Sequence, residues 1–334
     1  MIRMLNPSVS SPNSVQVGLV VAFAALDEVE QRAVEATWQC AVASATHWKP
    51  AIATFGLDPV SEQARNVDIL VYLGESSRFD GVAGEAAQRV PVVFVKSTVE
   101  ELLIRPPDAA PRYRMCTGVR GIAWALASVA PMAPTVDWKT LPWPNSVRDL
   151  TELDEAELSY VNTSVEAFRE AAEKRDIPWV IGLPGGDETF SVFLTMHDPT
   201  AAVLAEKALR LWPQCTVLAA DGMVSSRAPS GQRWPEQLAR VRHWSSHSHS
   251  KSNDLFREAM GNQPLPDFDS AGMLFGTMNF LDSVFAAGGQ PRALESAGTH
   301  PGPLGPLRMT TSGRPLPERI MIFHGEQSEV LTVE

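Results

Sequence analysis

PDFDSAGMLFGTMNFLDSVFAAGGQPRALESAGTHPGPLGPLRMTTSGRPLPERIMIFHGEQ, residues 266–327, is the stretch whose reading decides the fold. Asp269 or Ser270 suits a helix N-cap, and Met273, Leu274, Met278, Leu281, Val284 and Phe285 recur on one helical face until Gly288-Gly289 ends it. That spacing predicts a helix packed on a core. A short second helix follows, and Gly302-Pro303-Leu304-Gly305-Pro306 then makes a stiff corner. Leu307 to Met309 reads as a strand closed by Thr311-Ser312-Gly313, and Arg319 to His324 as the strand that returns in a hairpin.

Outward from this segment, the chain alternates apolar runs with helical patterns. Gln16–Phe23, Lys49–Phe55, Val67–Leu73 and Val90–Val95 are strands, separated by helices over Asp27–Ala45, Pro59–Asn66 and Gly84–Arg89. Strands that are apolar throughout and alternate with helices argue for a parallel sheet covered on both faces. Tyr113–Ala130 reads as a further helix. The Pro- and Trp-rich passage around Pro131–Pro144 reads as a packed connector, after which the pattern restarts with a helix over Glu155–Glu173 and a strand in Pro178–Leu183. Ala201–Trp212 fits either a strand with a short helix or a helix throughout. A strand near Thr216, another over Arg240–Ser246 and a helix over Asn253–Met260 complete the chain. The expected organisation is a loose leader at 1–14, an N-terminal α/β lobe at 15–130, a crossover at 131–150, a C-terminal α/β lobe at 151–250, and closing helices and a hairpin at 251–334 that cross between lobes.

Length and composition bound the function. A chain of 334 residues with 44% hydrophobic and 20% charged residues accommodates two folded lobes. Its net charge of -11 disfavours phosphate backbones and anionic lipid as partners. Three cysteines, Cys40, Cys116 and Cys215, stand far apart and suggest a reducing compartment. The apolar run Val17–Ala25 has the length of a signal-peptide core, but with little positive charge before it a buried first strand is the better account, so the expected location is the cytoplasm, or the periplasm if a transport role holds.

Two hydroxyl pairs carry the strongest chemical signal. Ser76-Ser77 and Ser97-Thr98 each follow the carboxyl end of an apolar strand, where ligands of open α/β sheets bind. Short hydroxyls beside exposed backbone N–H groups can hold a carboxylate or an amide; the plain alternative is that they are loop and cap residues. Asp221, after a second-lobe strand, suits an ammonium group, and Phe23 or Phe268 could flank an aliphatic side chain. Gly185-Gly186-Asp187-Glu188-Thr189 is similar to the diguanylate cyclase signature but lacks the aromatic and an upstream acidic partner for the metals. His243, His247 and His249 read as a polar loop more readily than as a metal site. No G-x-S-x-G, P-loop, G-x-G-x-x-G after the first strand or H-E-x-x-H is present, and no cofactor is expected.

The closing helix, the GPLGPLRM…SG corner and the IMIFHGE finish together resemble the carboxyl end of type I solute-binding proteins, the branched-chain amino acid receptors and their amide-sensing relatives. Gly186–Ser191, Asp198–Val203 and Ala220-Asp221-Gly222 follow the order of that family's second-lobe text, and Met309 stands where its aromatic is usual. The resemblance implies two doubly wound parallel-sheet lobes over a ligand cleft, and binding of an amino acid or amide by lobe closure. Ser76, Ser77, Ser97 and Thr98 would hold the anionic or amide end, and Asp221 the cationic end. The resemblance implies an ABC-type substrate-binding protein relative or an intracellular ligand sensor, with a homodimer or a signalling or transport partner; a first lobe shorter than the family's usual one, and the missing secretion signal and cysteine pair, favour an intracellular sensor or a partner-regulated domain over transport. The alternatives are a sugar-isomerase-like enzyme, which would need a divalent metal, and an interaction module whose cleft has lost its ligand.

Overall fold

The computed structural model describes residues 14–23, 28–148, 150, 152–153, 155–185, 188–196, 200–220, 228–246, 250–261, 264–266 and 268–333. The chain divides into two compact units. One takes the described residues up to Thr117 together with His243–Glu318, and the other takes those of Gly118–Arg242 and from Arg319 onward.

The first unit opens with β1 (Val15–Ala22), α1 (Glu28–Ser44), β2 (Trp48–Phe55), β3 (Ile69–Gly74), β4 (Val92–Phe94) and β5 (Arg112–Arg114). The strands form one sheet in the order β2-β1-β3-β4-β5, and every pairing is parallel. Period-two alternation assigns their side chains to two cores. Val17, Leu19, Val21, Ile69, Val71, Leu73, Val93 and Val95 pack on one face. Val20, Ala22, Leu70, Tyr72, Val92 and Phe94 pack on the other. Each fully buried Val, Leu or Phe contributes about 1.5–3 kcal/mol, which is why these runs carry no polar interruption.

The second unit contains α2 (Val119–Val129), β6 (Thr135–Asp137), α3 (Asn145–Arg148), α4 (Glu155–Glu173), β7 (Trp179–Val180), β8 (Phe190–Leu194), α5 (Thr200–Leu211), β9 (Cys215–Ala219) and β10 (Leu238–Arg242). The chain then re-enters the first unit for α6 (Lys251–Ala259), α7 (Asp269–Ala286), β11 (His300–Gly302), β12 (Gly305–Met309) and β13 (Pro315–Leu316). It ends in β14 (Glu318–His324) and β15 (Gln327–Val333), which complete a sheet ordered β15-β14-β10-β9-β8-β6-β7. The strands from β7 to β10 are parallel, and β14 is antiparallel to β10.

Several expectations are corrected. Tyr113 begins no helix: Tyr113 and Met115 both enter the same core, a period of two that makes Arg112–Arg114 a strand beside β4, and helix starts only at Val119 after Gly118. The expected helix at Gly84–Arg89 is a run of short turns, Ser76–Arg78, Asp80–Gly84 and Ala86–Gln88. Thr135–Asp137, within the passage read as a connector, is an interior strand of the second sheet. The ambiguous Ala201–Trp212 segment is helix from Thr200 to Leu211.

Neither Asp269 nor Ser270 caps α7. Phe268 is the N-cap, the Asp269 carboxylate accepts the His243 amide at 2.9 Å, and the Ser270 hydroxyl bonds Glu30 at 2.8 Å. Nor does α7 have one apolar face, since fourteen of its eighteen residues are buried. The expected second helix is the short 3₁₀ turn Leu294–Ser296. Finally, β12 pairs with β11 and β13, whereas the segment expected to return beside it, β14, joins β10.

Candidate ligand-binding edge of the first unit

Because all five strands of the first sheet run the same way, their carboxyl ends lie along one edge. The register aligns Ala22 with Gly74, and Phe94 with both Tyr72 and Arg114. Phe23, Ser76, Ser97, Thr98 and Thr117 therefore leave adjacent strands on that edge. Ser76 is half-buried and Ser77 exposed, and both lie in a 3₁₀ turn whose backbone is fixed by the Tyr72 hydroxyl donating to the Glu75 carbonyl at 2.8 Å. Ser97 and Thr98 are far more enclosed, at 3% and 4% exposure.

Enclosure separates the two pairs chemically. The Ser97 hydroxyl is buried and, among the described residues, meets no hydrogen-bond partner. Its carbonyl accepts the Cys116 thiol at 3.2 Å, and the Thr98 carbonyl accepts Arg114 Nη1 at 3.4 Å. The backbone of the loop is thus held while one hydroxyl stays available. A buried hydroxyl without a partner is costly, and a polar group of a ligand that reached it would remove that cost.

Of the other candidates, Phe23 is half-buried against the core beneath the edge. Phe268 is half-buried at the start of α7, which the Ser270–Glu30 bond places beside the first turn of α1. Asp221 lies outside the described residues, as do His247, His249, Gly186 and Asp187. His243 is buried, and among the described residues no group of three or more His, Cys, Asp or Glu side chains is placed to hold a metal ion. All three cysteines are free thiols, and burial pushes Cys215 up to about 12.

Sequence reasoning missed Arg114 and Glu100, which flank the Ser97-Thr98 loop in space; the only signal was two arginines alternating with Tyr113. It also missed polar groups on the corresponding edge of the second sheet. There, Asp137 ends β6 and Thr195 follows β8, fully buried and with no hydrogen-bond partner for its hydroxyl among the described residues. Burial raises the Asp137 carboxyl above its ordinary value, while the Lys139 amide at 3.0 Å and ammonium at 3.6 Å pull the other way. An open cavity of about 640 Å³ lies elsewhere in the second unit, between the last turns of α4 and the start of β7, with Glu166, Glu170, Glu173 and Trp179 in its wall. It adjoins the amino end of β7, so it is not a strand-end ligand site of the usual kind.

Two units with predominantly parallel, doubly wound sheets, the chain passing repeatedly from one to the other, define the fold of type I solute-binding proteins. Solved structures of that fold include a solute-binding protein of an ABC transporter from R. palustris in complex with benzoate, which matches 96% of this chain and 96% of its own at 12% identity with a TM-score of 0.63. An ABC transporter substrate-binding protein from Desulfitobacterium hafniense in complex with Leu matches 95% of this chain and 100% of its own at 14% identity, TM-score 0.65. A leucine-binding protein from Thermotoga maritima matches 96% and 98% at 15% identity, TM-score 0.61. At the level of sequence, no family model and no curated protein matches the chain. Among the described residues, no helix is long and apolar enough to cross a membrane.

Proposed function

We propose that this chain binds a small organic molecule bearing a carboxylate or amide group, and that binding, not bond-making, is its act. The observation that carries the reading is the Ser97 hydroxyl, buried without a partner among the described residues just past the carboxyl end of β4, next to Thr98 and on the same edge as Ser76. Hydroxyls and backbone amides can hold such a group without a fixed positive charge. Asp221 stays the candidate for a cationic end of the ligand, on the strength of its place in the sequence alone. Binding by closure follows if the ligand has higher affinity for the closed form.

The neighbours' ligands, benzoate and leucine, frame the first probes. Titration calorimetry with L-leucine, benzoate and small aliphatic amides tests the reading, together with a Ser97→Ala, Thr98→Val double variant. Saturable binding in the wild type that is lost in the variant supports it. Binding that is indifferent to the double substitution removes this edge from the site.

A further inference from the structure

We infer that Arg114 is a positioning residue for ligand binding, fastening the Ser97-Thr98 loop to the segment through which the chain finally leaves the first unit; this rests on the reading of that loop as ligand-binding. Arg114 is the last residue of β5, three positions before the chain first passes to the second unit after Thr117. Its side chain is 1% exposed. From there one guanidinium reaches the Thr98 carbonyl at 3.4 Å, the Glu100 carboxylate at 3.1 Å and the Glu318 carboxylate at 3.4 Å. Glu318 is the last residue of the first unit before its final exit.

The same network grips the turn that leads to Glu318. Arg314 pairs with Glu100 at 2.9 Å, and the Arg114 amide donates to the Gly313 carbonyl at 2.8 Å. Gly313 has φ +78°, and a Cβ there would lie 2.0 Å from the Arg112 carbonyl oxygen, so only glycine lets the turn sit this closely on β5. Two guanidiniums and two carboxylates balance in charge, and the buried fork fixes direction in a way a lysine point charge would not.

Among the described residues Arg114 Nε meets no hydrogen-bond partner, so the guanidinium's contacts are those its two terminal nitrogens make to Thr98, Glu100 and Glu318. One cation is therefore shared by the loop that would touch ligand and the strand start at Glu318. A ligand that orders or shifts the loop must be felt at Glu318. By linkage, a change at Glu318 must alter ligand affinity by the same factor.

Hydrogen exchange on the full ligand-free chain tests the coupling directly. Glu318→Gln keeps side-chain size, and Arg114→Lys keeps the charge but not the fork. In both, amides of residues 99–103 and 310–316 are expected to exchange together roughly tenfold faster than in the wild type, an ordinary size for coupling. Phe285→Leu, in the core of the same unit, controls for general loss of stability. Acceleration confined to 310–316, or no greater than in the control, overturns the inference. For whichever probe, L-leucine or benzoate, binds the wild type, Glu318→Gln should raise Kd by about tenfold; an unchanged Kd also overturns it. If neither probe binds the wild type, the ligand reading is what fails for these probes, and the exchange experiment still decides the coupling.

Discussion

Ser97 carries a hydroxyl that no group among the described residues meets, in a loop where the Ser97 and Thr98 carbonyls are both engaged. An unsatisfied buried polar group costs about 1–3 kcal/mol, so Ser97→Ala should leave the ligand-free chain equally stable or up to ~1 kcal/mol more stable while weakening ligand binding. Thermal unfolding with and without ligand separates the two effects; a variant that loses stability and binding together would make Ser97 a packing residue. Asp137 gives a pH test with a definite sign. Its folded-state pKa is raised by burial, so the folded state binds more protons than the unfolded chain, and this group's contribution to stability falls as pH rises above about 4. The stability of Asp137→Asn relative to wild type should therefore increase between about pH 4 and pH 7 in urea titrations. A flat difference would mean that Lys139 cancels the effect of burial.

At the scale of elements, the parallel strands were legible because their runs are apolar on both faces, and no other common arrangement buries both. Residues 112–117 were not, because a three-residue strand offers too few alternations to outweigh the helical pattern that begins at Val119. The α7 helix was legible in extent but not in setting: small residues such as Gly272 and Gly276 hide a face that is fully packed. A Cβ on Gly272 would fall 1.8 Å from the Trp244 ring, so Gly272→Ala should destabilise the first unit by about 1–3 kcal/mol despite alanine's better helix propensity. A stabilised Gly272→Ala variant in chemical denaturation would contradict this packing. The hydroxyl pairs could be placed from strand ends alone, whereas Arg114, Glu100 and Glu318 are distant in sequence and meet only through β5 and the turn against it. No local pattern announces such a network.

At the scale of the whole molecule, the segment from Pro266 onward indicated the architecture because its order of helix, corner and strands serves a chain that passes repeatedly between two units. The expected destination of the last strands was less legible, since edge pairing depends on a distant partner, β10. On the proposed reading, what the chain binds is decided at sheet edges, where side-chain identity varies freely over a constant backbone. The most direct measurement is thermal unfolding across a panel of amino acids, short amides and aromatic acids, each at millimolar concentration. At about 100 times its dissociation constant a ligand adds roughly 2.7 kcal/mol, which for a chain of this size raises the midpoint by about 4 °C. The account predicts such a rise with at least one carboxylate- or amide-bearing compound, and its loss in the Ser97→Ala, Thr98→Val variant. A midpoint indifferent to every compound, or a rise that survives the double substitution, would contradict it.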